Sequence, residues 1–431
     1  MYFYQKKYNF KRANWIGLLS ILLSLAILLD AKLFFIYITQ SKSAGYFIYG
    51  VFFILLLFFS IYFIFKYKFP KQFWIIIGFL VFGFCLDLIR GMEYGDAILQ
   101  ATAIMCIPSA LVLYKQGYFS SKRLSLIFFI ISVFHLSFII YSFINPSMVS
   151  EFTAYGNEVS LNIRALGIFP APGVLSFYSI IIFSYGFVLF SLKKNKFNFL
   201  ISLLGILLGL TSGNRSFLIA LILIAASFLF WNPLPKKGKG VFIYYIVILS
   251  ITLLLVNQLS NNLLGDKLTI IIERFDPDMI ETDYNTRVKG EVGIIPGLRS
   301  LQENPLFGNA VMDKYGKSIM VSYKNETYSI NNGFVSILGF RGIPAGLLFY
   351  YIYFLSLLRY RRIANSAINT DDRAIKAAFF FMILGGSIVC MTDAFLTSPI
   401  MLILLLIPFI NIRQISMAVD TNKSFITMNN R

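Results

Sequence analysis

Long apolar runs separated by short polar links dominate the chain. Each run has roughly the 20 residues that an α-helix needs to cross the hydrocarbon layer of a bilayer. Strands of a transmembrane barrel would instead alternate apolar and polar residues over roughly 10 positions. The pattern therefore predicts an all-α polytopic membrane protein with about 12 transmembrane helices. The predicted spans are residues 15–38, 46–65, 73–89, 97–114, 124–143, 171–192, 197–210, 216–231, 241–256, 333–358, 377–396 and 399–410.

One polar segment, residues 258–332, is far longer than any other link between the predicted spans. It contains 10 of the chain's 20 acidic residues. Its position divides the chain into helices one to nine (1–257), the large loop (258–332), and helices ten to twelve with a polar tail (333–431). Within the loop, residues 287–303 carry apolar side chains at three- and four-residue steps, which predicts a short amphipathic helix. Such a helix could lie on the membrane as a lid or simply pack against the bundle.

Basic residues are concentrated in alternate links between the spans. The chain carries 38 Lys and Arg against 20 Asp and Glu, a formal net charge of +18. When the spans alternate across the membrane, roughly 24 basic residues fall on the side that also holds both termini, which the positive-inside rule assigns to the cytoplasm. The large loop is then extracytoplasmic. The charge excess thus reflects membrane topology, and we expect no nucleic-acid partner.

The residues of several common catalytic sites are missing from the sequence. There is a single histidine, His135, in the middle of the predicted fifth span, and the three cysteines lie within apolar runs. No nucleotide-binding glycine loop, metal-ligand cluster or nucleophile elbow occurs. The sequence therefore gives no support for ATP hydrolysis, zinc chemistry or a histidine-based protease triad, and we expect no metal and no cofactor. His135 is expected to be a hydrogen-bonded packing residue.

Arginine is the candidate functional residue on the outer side. Outer links usually contain few basic residues, so those that are present require a reason. A guanidinium group is planar, stays charged and binds phosphate oxygens through two hydrogen bonds, so several arginines at one mouth would bind a diphosphate. For Arg274 and Arg299, pairing with acids of the loop is the competing interpretation, whereas Arg215 and Arg287 are favoured as anion ligands. The six candidates are Arg164, Arg215, Arg274, Arg287, Arg299 and Arg341.

Arg341 lies within the predicted span 333–358. A charge inside the hydrocarbon layer costs at least about 2.5 kcal/mol and normally faces a partner or a cavity. Asp393, near the outer end of the predicted eleventh span, is the expected partner. A structural Arg341–Asp393 pair and a substrate-binding role for Arg341 both stay open, and they do not exclude each other.

Three short motifs on this topology resemble the superfamily of O-antigen polymerases and O-antigen ligases of the bacterial inner membrane. They are TSGNRS at 211–216, Arg287 followed by a helical pattern and NPLFG at 304–308, and NNGF at 331–334 with glycines continuing to residue 346. The resemblance covers mainly residues 211–346, and the earlier residues share only the topology.

The resemblance implies transfer of an oligosaccharide from undecaprenyl diphosphate at the periplasmic face of the inner membrane. By this resemblance Arg215 and Arg287 would hold the diphosphate, with Asn331 as a further catalytic residue and Asn332 beside it in the substrate-binding group. Because diphosphate is a good leaving group, electrostatic stabilisation would supply most of the catalysis. No metal or nucleotide is implied. The undecaprenyl-diphosphate-linked oligosaccharide, the membrane lipid and a chain-length regulator are the implied partners.

The closing motif distinguishes members of the superfamily. Ligases typically carry a histidine where this chain has Asn331, and an asparagine cannot act as a general base. This difference favours an inverting polymerase that joins repeat units over a ligase that transfers glycan to lipid A-core. A flippase for the same lipid-linked sugars stays open as an alternative. A secondary transporter would show paired interrupted helices or internal repeats, which the sequence pattern does not indicate.

Overall fold

The computed structural model describes residues 31–90, 94–145, 165, 167–169, 172–230, 294–312, 319–323, 326–330, 332–367, 370–391, 398–410 and 415–417. Most of these residues are helical. Five of the described helices are long and apolar enough to cross a membrane: Lys42–Lys66, Lys71–Ile89, Ser121–Ser142, Pro172–Lys193 and Gly333–Ser366. This is the architecture of an all-α membrane protein, as predicted, while the total of about 12 spans stays a prediction.

The described helices follow the predicted apolar runs closely. The ninth predicted span, 241–256, lies outside the described residues, and only the end of the first is described. Each of the other runs overlaps a described helix, although the helix Thr370–Val389 begins seven residues before the run 377–396, of which residues 392–396 lie outside the described part. The helices are α1 Ala31–Thr39, α2 Lys42–Lys66, α3 Lys71–Ile89, α4 Tyr94–Lys115, α5 Ser121–Ile144, α6 Pro172–Lys193, α7 Lys196–Thr211, α8 Arg215–Leu229, α9 Ile294–Ser300, α10 Gly333–Ser366, α11 Thr370–Val389 and α12 Pro399–Leu406. The short strands are β1 Tyr67–Lys68, β2 Val311–Met312, β3 Ile319–Tyr323, β4 Glu326–Ile330 and β5 Ser416–Met417.

Short polar side chains fix where several helices begin. The side chains of Ser41, Ser120 and Asn195 each accept a hydrogen bond from a backbone N–H in the first turn of α2, α5 and α7. Unpaired backbone groups are costly in a bilayer because no water reaches them, so such caps matter for helices that enter it. The polar links between the apolar runs therefore supply helix starts as well as turns.

Helix α6 is the centre of the bundle. It packs along α7 and α11, and 89% of the residues in its apolar stretch are buried. The corresponding stretch of α3 is only 17% buried, and large apolar side chains such as Ile75 and Phe82 face outward. Lipid does not penalise exposed apolar surface, so we expect α3 at the lipid boundary, whereas protein encloses α6.

Contacts between helix ends define two opposite faces of the bundle. On the first, called the basic face, the antiparallel pair β1–β5 joins the end of α2 to the C-terminal segment, with Tyr67 opposite Met417. Lys193 at the end of α6 pairs with Asp371 at the start of α11, with 2.5 Å between Nζ and Oδ1. These two contacts join four of the links predicted to share one side, and the alternation of all links across the membrane stays a prediction. The assignment of that side to the cytoplasm stays a prediction.

The described part of the large loop lies at the other ends of the helices, on what is called the loop face. Helix α9 falls within the predicted amphipathic segment 287–303, of which residues 287–293 are outside the described part. Strands β2, β3 and β4 form an antiparallel sheet, with Val321 opposite Tyr328. The sequence-based prediction of a loop with short helices does not include this sheet. The feature of the sequence that indicates this sheet is the two-residue link between β3 and β4, which is typical of a hairpin.

Candidate functional site

The turn between α7 and α8 holds Arg215 at the start of a helix. Asn214 is the N-cap of α8: its Oδ1 accepts hydrogen bonds from the Ser216 N–H at 3.1 Å and from the Ser216 hydroxyl at 2.8 Å. The Ser212 hydroxyl in turn accepts one from the Asn214 N–H. Arg215 is the first residue of the helix and is half-buried. A helix N-terminus carries a partial positive charge, so Arg215 and the α8 dipole both favour a bound anion at this turn.

The segment that follows Arg164 in the chain meets the same turn. The Ala165 N–H donates a hydrogen bond to the Thr211 carbonyl at 3.0 Å. Thr211 is the last residue of α7 and lies four positions before Arg215. Arg164 is outside the described residues, so its own place in the site stays a prediction.

His135 fastens this segment to α5. Its Nδ1 accepts a hydrogen bond from the Ile168 N–H at 3.2 Å, and its ring stacks on Phe169 with 4.5 Å between ring centroids. The side chain is fully buried. Because the Nδ1 lone pair is occupied, that nitrogen cannot accept a proton without losing the bond to Ile168. His135 therefore has the packing role that the sequence predicts.

Helix α10 consists of two helices joined at a sharp break. Gly342 has φ 73° and ψ 176°, far from helical values. Residues at equal distances from Gly342 in the chain face each other: Leu338 lies against Gly346, and the rings of Phe334 and Tyr350 are 5.9 Å apart. Residues 333–341 (the short arm) therefore fold back along residues 343–366 (the long arm) as a helical hairpin.

The break corrects the bounds of the predicted tenth span. The prediction treats 333–358 as one helix, but the chain reverses at Gly342. At 1.5 Å per residue the short arm is about 13 Å long and the long arm about 36 Å. The hydrocarbon layer is about 30 Å thick, so the long arm alone has the length to cross it.

The turn at 304–308 fills the break in α10. The Pro305 carbonyl accepts a hydrogen bond from the Ile343 N–H at 2.8 Å, and the Gly339 carbonyl accepts one from the Ala310 N–H at 2.9 Å. Interrupting a helix leaves such backbone groups without their usual partners. The loop therefore completes the hydrogen bonding of α10, and the two segments form one unit.

Glycine is required on both sides of this contact. Gly308 and Gly342 have positive φ angles of 71° and 73°. A Cβ on Gly308 would lie 1.9 Å from the Gly339 oxygen, and a Cβ on Gly342 would lie 2.1 Å from the Leu306 oxygen. Any larger residue would separate the turn from the helix. This explains the glycine that ends the NPLFG motif.

Arg341 pairs with a carboxylate of α3. Its Nη2 donates to Asp87 Oδ2 at 2.6 Å, its Nη1 contacts Asp87 Oδ1, and Nη1 also donates to the Gly83 carbonyl at 3.0 Å. Asp87 is only 3% exposed. The expected partner, Asp393, lies outside the described residues, and the carboxylate found at Arg341 is that of Asp87 instead. The hairpin is the physical reason, because it puts Arg341 at its tip, beside the loop-face end of α3.

Arg90, at the end of α3, is a site residue that the sequence analysis does not single out. Its Nη1 donates to the Phe340 carbonyl and its Nη2 to the Phe307 carbonyl, both at 2.6 Å. Nη2 also donates to the Gly308 carbonyl at 3.1 Å. A signal was present in the sequence, since Arg90 is a basic residue in a link assigned to the outer side, where such residues are few.

Burial and two neighbouring charges shift the pKa of Arg90. Burial lowers the pKa of Arg90, the Asp87 carboxylate raises this pKa, and the Arg341 guanidinium lowers it. The ordinary arginine pKa is so far above neutrality that the group stays cationic. The Asp87 carboxylate, which is bonded to Arg341, therefore also acts on the charge of Arg90 through space.

Asn332 caps the short arm and fastens it to α11. Its Oδ1 accepts hydrogen bonds from the N–H groups of Phe334 and Val335, each at 3.0 Å, and its Nδ2 donates to the Met391 carbonyl at 2.8 Å. The side chain thus has a structural role. A substrate contact of Asn332 stays a prediction, and Asn331 lies outside the described residues.

Arg215 and Asn332 lie at similar positions along the helix axes of the bundle. Helices α8 and α11 run in opposite directions, and Ile224 of α8 lies against Gly385 of α11. At 1.5 Å per residue, Arg215 is about 13 Å and Met391 about 9 Å toward the loop face from this contact. Since Asn332 is bonded to Met391, the two candidates are within about one helical turn of the same level.

The structure brings several predicted site residues to the loop face. Arg215 lies at the turn before α8, and Asn332 and Arg341 lie at the two ends of the short arm. Arg299 is exposed on α9, which packs on the short arm. Four further candidates lie outside the described residues, and their convergence on this face stays a prediction: Arg164, Arg274, Arg287 and Asn331.

Comparison with known proteins adds no family to this description. No protein-family model and no curated protein matches the chain.

Proposed function

We propose that this protein is an inverting polysaccharide polymerase, which joins undecaprenyl-diphosphate-linked O-antigen repeat units at the periplasmic face of the inner membrane. The observation that carries the proposal is the place of Arg215, half-buried at the N-terminus of α8 and on the same face as the large loop. The resemblance of the TSGNRS, NPLFG and NNGF motifs to the O-antigen polymerase and ligase superfamily supplies the substrate class.

The proposed reaction needs a cationic site at the membrane surface. A hydroxyl oxygen of the acceptor unit attacks the anomeric carbon of the growing chain, and the hydroxyl proton is released. The bond from that carbon to the diphosphate oxygen breaks, its electron pair leaves with undecaprenyl diphosphate, and the anomeric configuration inverts. Guanidinium groups and helix N-terminal N–H groups stabilise the negative charge on the departing oxygen. Arg215 would supply a guanidinium and the α8 dipole a partial positive charge, with Arg287 as the predicted second guanidinium.

A flippase for lipid-linked oligosaccharides is the second candidate, because α10 is interrupted. In transporters, the ends of interrupted helices bind the substrate or its coupling ion. In this chain, the Gly339 carbonyl and the Ile343 N–H at the break bond to Ala310 and Pro305 of the loop instead. The break is therefore a docking place for the loop, which supports a polymerase over a flippase.

The lipopolysaccharide banding pattern of a strain lacking the gene, run beside its parent, tests the proposal. A ladder that collapses to core plus a single repeat unit is expected for a polymerase, because ligation to lipid A-core still works. Loss of every O-antigen band, with polymer retained on the lipid carrier, would show a ligase instead. Precursor trapped on the inner side would show a flippase. An unchanged ladder would contradict all three assignments.

A further inference from the structure

A cluster of three charged residues joins α3, α10 and the large loop. Asp87 and Arg90 belong to the end of α3, and Arg341 to the tip of the hairpin. Arg341 binds Asp87, while Arg90 binds the carbonyls of Phe340 in the short arm and Phe307 in the loop. The cluster thus holds together residues that are 217 and 254 positions apart in the chain.

The three charges depend on one another. Asp87 is almost completely buried, and a buried carboxylate is strongly destabilising unless it is paired. Arg341 supplies its partner, and Asp87 in turn reduces the repulsion between the two guanidinium groups. Removing one member of a buried ion pair is far more destabilising than replacing the whole pair with apolar residues. The cluster should therefore act as a unit.

Arg90 has the right chemistry to join two backbone segments. Its guanidinium fork donates in two directions, to Phe340 in the short arm and to Phe307 and Gly308 in the turn. Phe340 lies at the C-terminal end of the short arm, where helix carbonyls carry a partial negative charge that favours a cation. A lysine ammonium is a single point charge and cannot reproduce this fork.

The contact between the turn 304–308 and the break in α10, called the joint, lies close in sequence to Arg299 of α9. Three residues separate the end of α9 at Ser300 from the turn that begins at Asn304. This connection is itself hydrogen-bonded, since the Gln302 N–H donates to the Arg299 carbonyl at 3.0 Å. A shift of the turn would therefore move α9 and Arg299 with it.

We propose that Arg90 and the Asp87–Arg341 pair are positioning residues of the transfer site. They hold the turn 304–308 in the break of α10 and thereby fix the large loop relative to Arg215 and its helix. They act through the loop and do not touch the substrate. This inference rests on the proposed function, since it says what keeps the loop in place for the polymerase reaction.

A distance measurement tests the positioning role without any substrate. Spin labels are attached to cysteines introduced at Leu298 of α9 and at Phe230, at the basic-face end of α8, after the native cysteines have been replaced. Both positions are exposed. Double electron–electron resonance then reports where α9 lies relative to the bundle.

The charge variants should loosen the loop and impair transfer together. Arg90→Gln and Asp87→Asn are expected to broaden the distance distribution and to reduce polymer formation about 10- to 100-fold in the complemented deletion strain, because small displacements of a site have effects of this size. Arg90→Lys should restore part of both, since it keeps the charge but not the fork.

Arg359→Gln is the matched control for these variants. Arg359 also donates to a backbone carbonyl, that of Pro408 at 3.2 Å, but it lies toward the basic-face end of α10. Its replacement should leave both the distances and the polymer unchanged. Broadening in this control equal to that in Arg90→Gln would overturn the inference, because the effect would not then be specific to the joint.

Two further outcomes would overturn the inference. One is a distribution as narrow in Arg90→Gln as in the parent, whatever the activity, and the other is a broadened distribution with full polymer formation. Failure of the proposed function is distinguishable, since it appears as an unchanged ladder in the deletion strain.

If Arg90→Gln does not accumulate in the membrane, Gly83→Ala tests the same joint, because a Cβ there would lie 2.9 Å from Arg341 Nε. Broadening is expected, and its absence overturns the inference.

Discussion

Two ion pairs between helices lie at opposite faces of the bundle, and they differ in burial. In the Lys193–Asp371 pair of the basic face, the side chains are 18% and 65% exposed. In the Arg341–Asp87 pair of the loop face they are 21% and 2% exposed. Charges that water reaches gain little from pairing, whereas a buried carboxylate depends on its partner. The difference indicates that Asp87 depends on Arg341, and we infer that this pair holds the tip of the α10 hairpin against α3, beside the docked turn.

Replacing Asp87 with asparagine should have the largest effect on stability. The Arg341 guanidinium would lose its counter-charge beside Arg90, and breaking a buried ion pair costs about 3–5 kcal/mol. Unfolding of the purified protein in detergent should show this loss as a lower Tm. The double variant Asp87→Leu with Arg341→Met removes both charges and should recover part of it. A double variant that is less stable than Asp87→Asn would contradict the pairing argument.

Gly308→Ala should have the next largest effect. Its Cβ would overlap the Gly339 oxygen, so the turn would have to leave the break in α10. Gly117 at the basic face is the matched control, because its φ is +75° but nothing lies within 4 Å of a Cβ added there. Backbone strain alone should cost Gly117→Ala about 1 kcal/mol, and Gly308→Ala should cost clearly more. Equal losses in the free energy of unfolding would show that the turn does not fill the break.

Lys193→Met should have the smallest effect of the series. It removes the ion pair with Asp371 and a 2.8 Å hydrogen bond to the Ser121 hydroxyl, but keeps the apolar stem. Exposed ion pairs contribute at most about 1 kcal/mol, so the free energy of unfolding should fall by less than that. A loss as large as that of Asp87→Asn would remove the contrast between the two faces.

Helix positions could be predicted because hydropathy is a local property of the sequence. The runs 46–65 and 171–192 are flanked by polar residues, and the helices Lys42–Lys66 and Pro172–Lys193 begin and end within a few residues of them. The links that meet at β1–β5 and at Lys193–Asp371 are among those that charge assigns to one side, since basic residues mark alternate links. Local patterns of apolarity and charge were sufficient for this part of the fold.

The hairpin in α10 could not be predicted in this way. Gly342 lies in an apolar stretch with the pattern of a single span, and the break depends on Pro305 and on Arg90, which are distant in the sequence. Asp87 was the available signal, because a carboxylate inside a predicted span normally has a partner or a function. It indicates that a partner exists but not which residue it is. The place of Arg215 at the start of α8 follows from Asn214, the capping residue beside it in the chain, while its diphosphate-binding role stays a prediction.

Complementation of the deletion strain with Arg215 variants tests the central claim most directly. Arg215→Ala removes the guanidinium at the start of α8, while Arg215→Lys keeps the charge but not the fork that binds two phosphate oxygens. With membrane-inserted protein quantified in the same cells, the alanine variant should make about 100-fold less polymer and leave a single repeat unit on the gel. The lysine variant should give an intermediate ladder. A full ladder from Arg215→Ala would contradict a diphosphate site at α8.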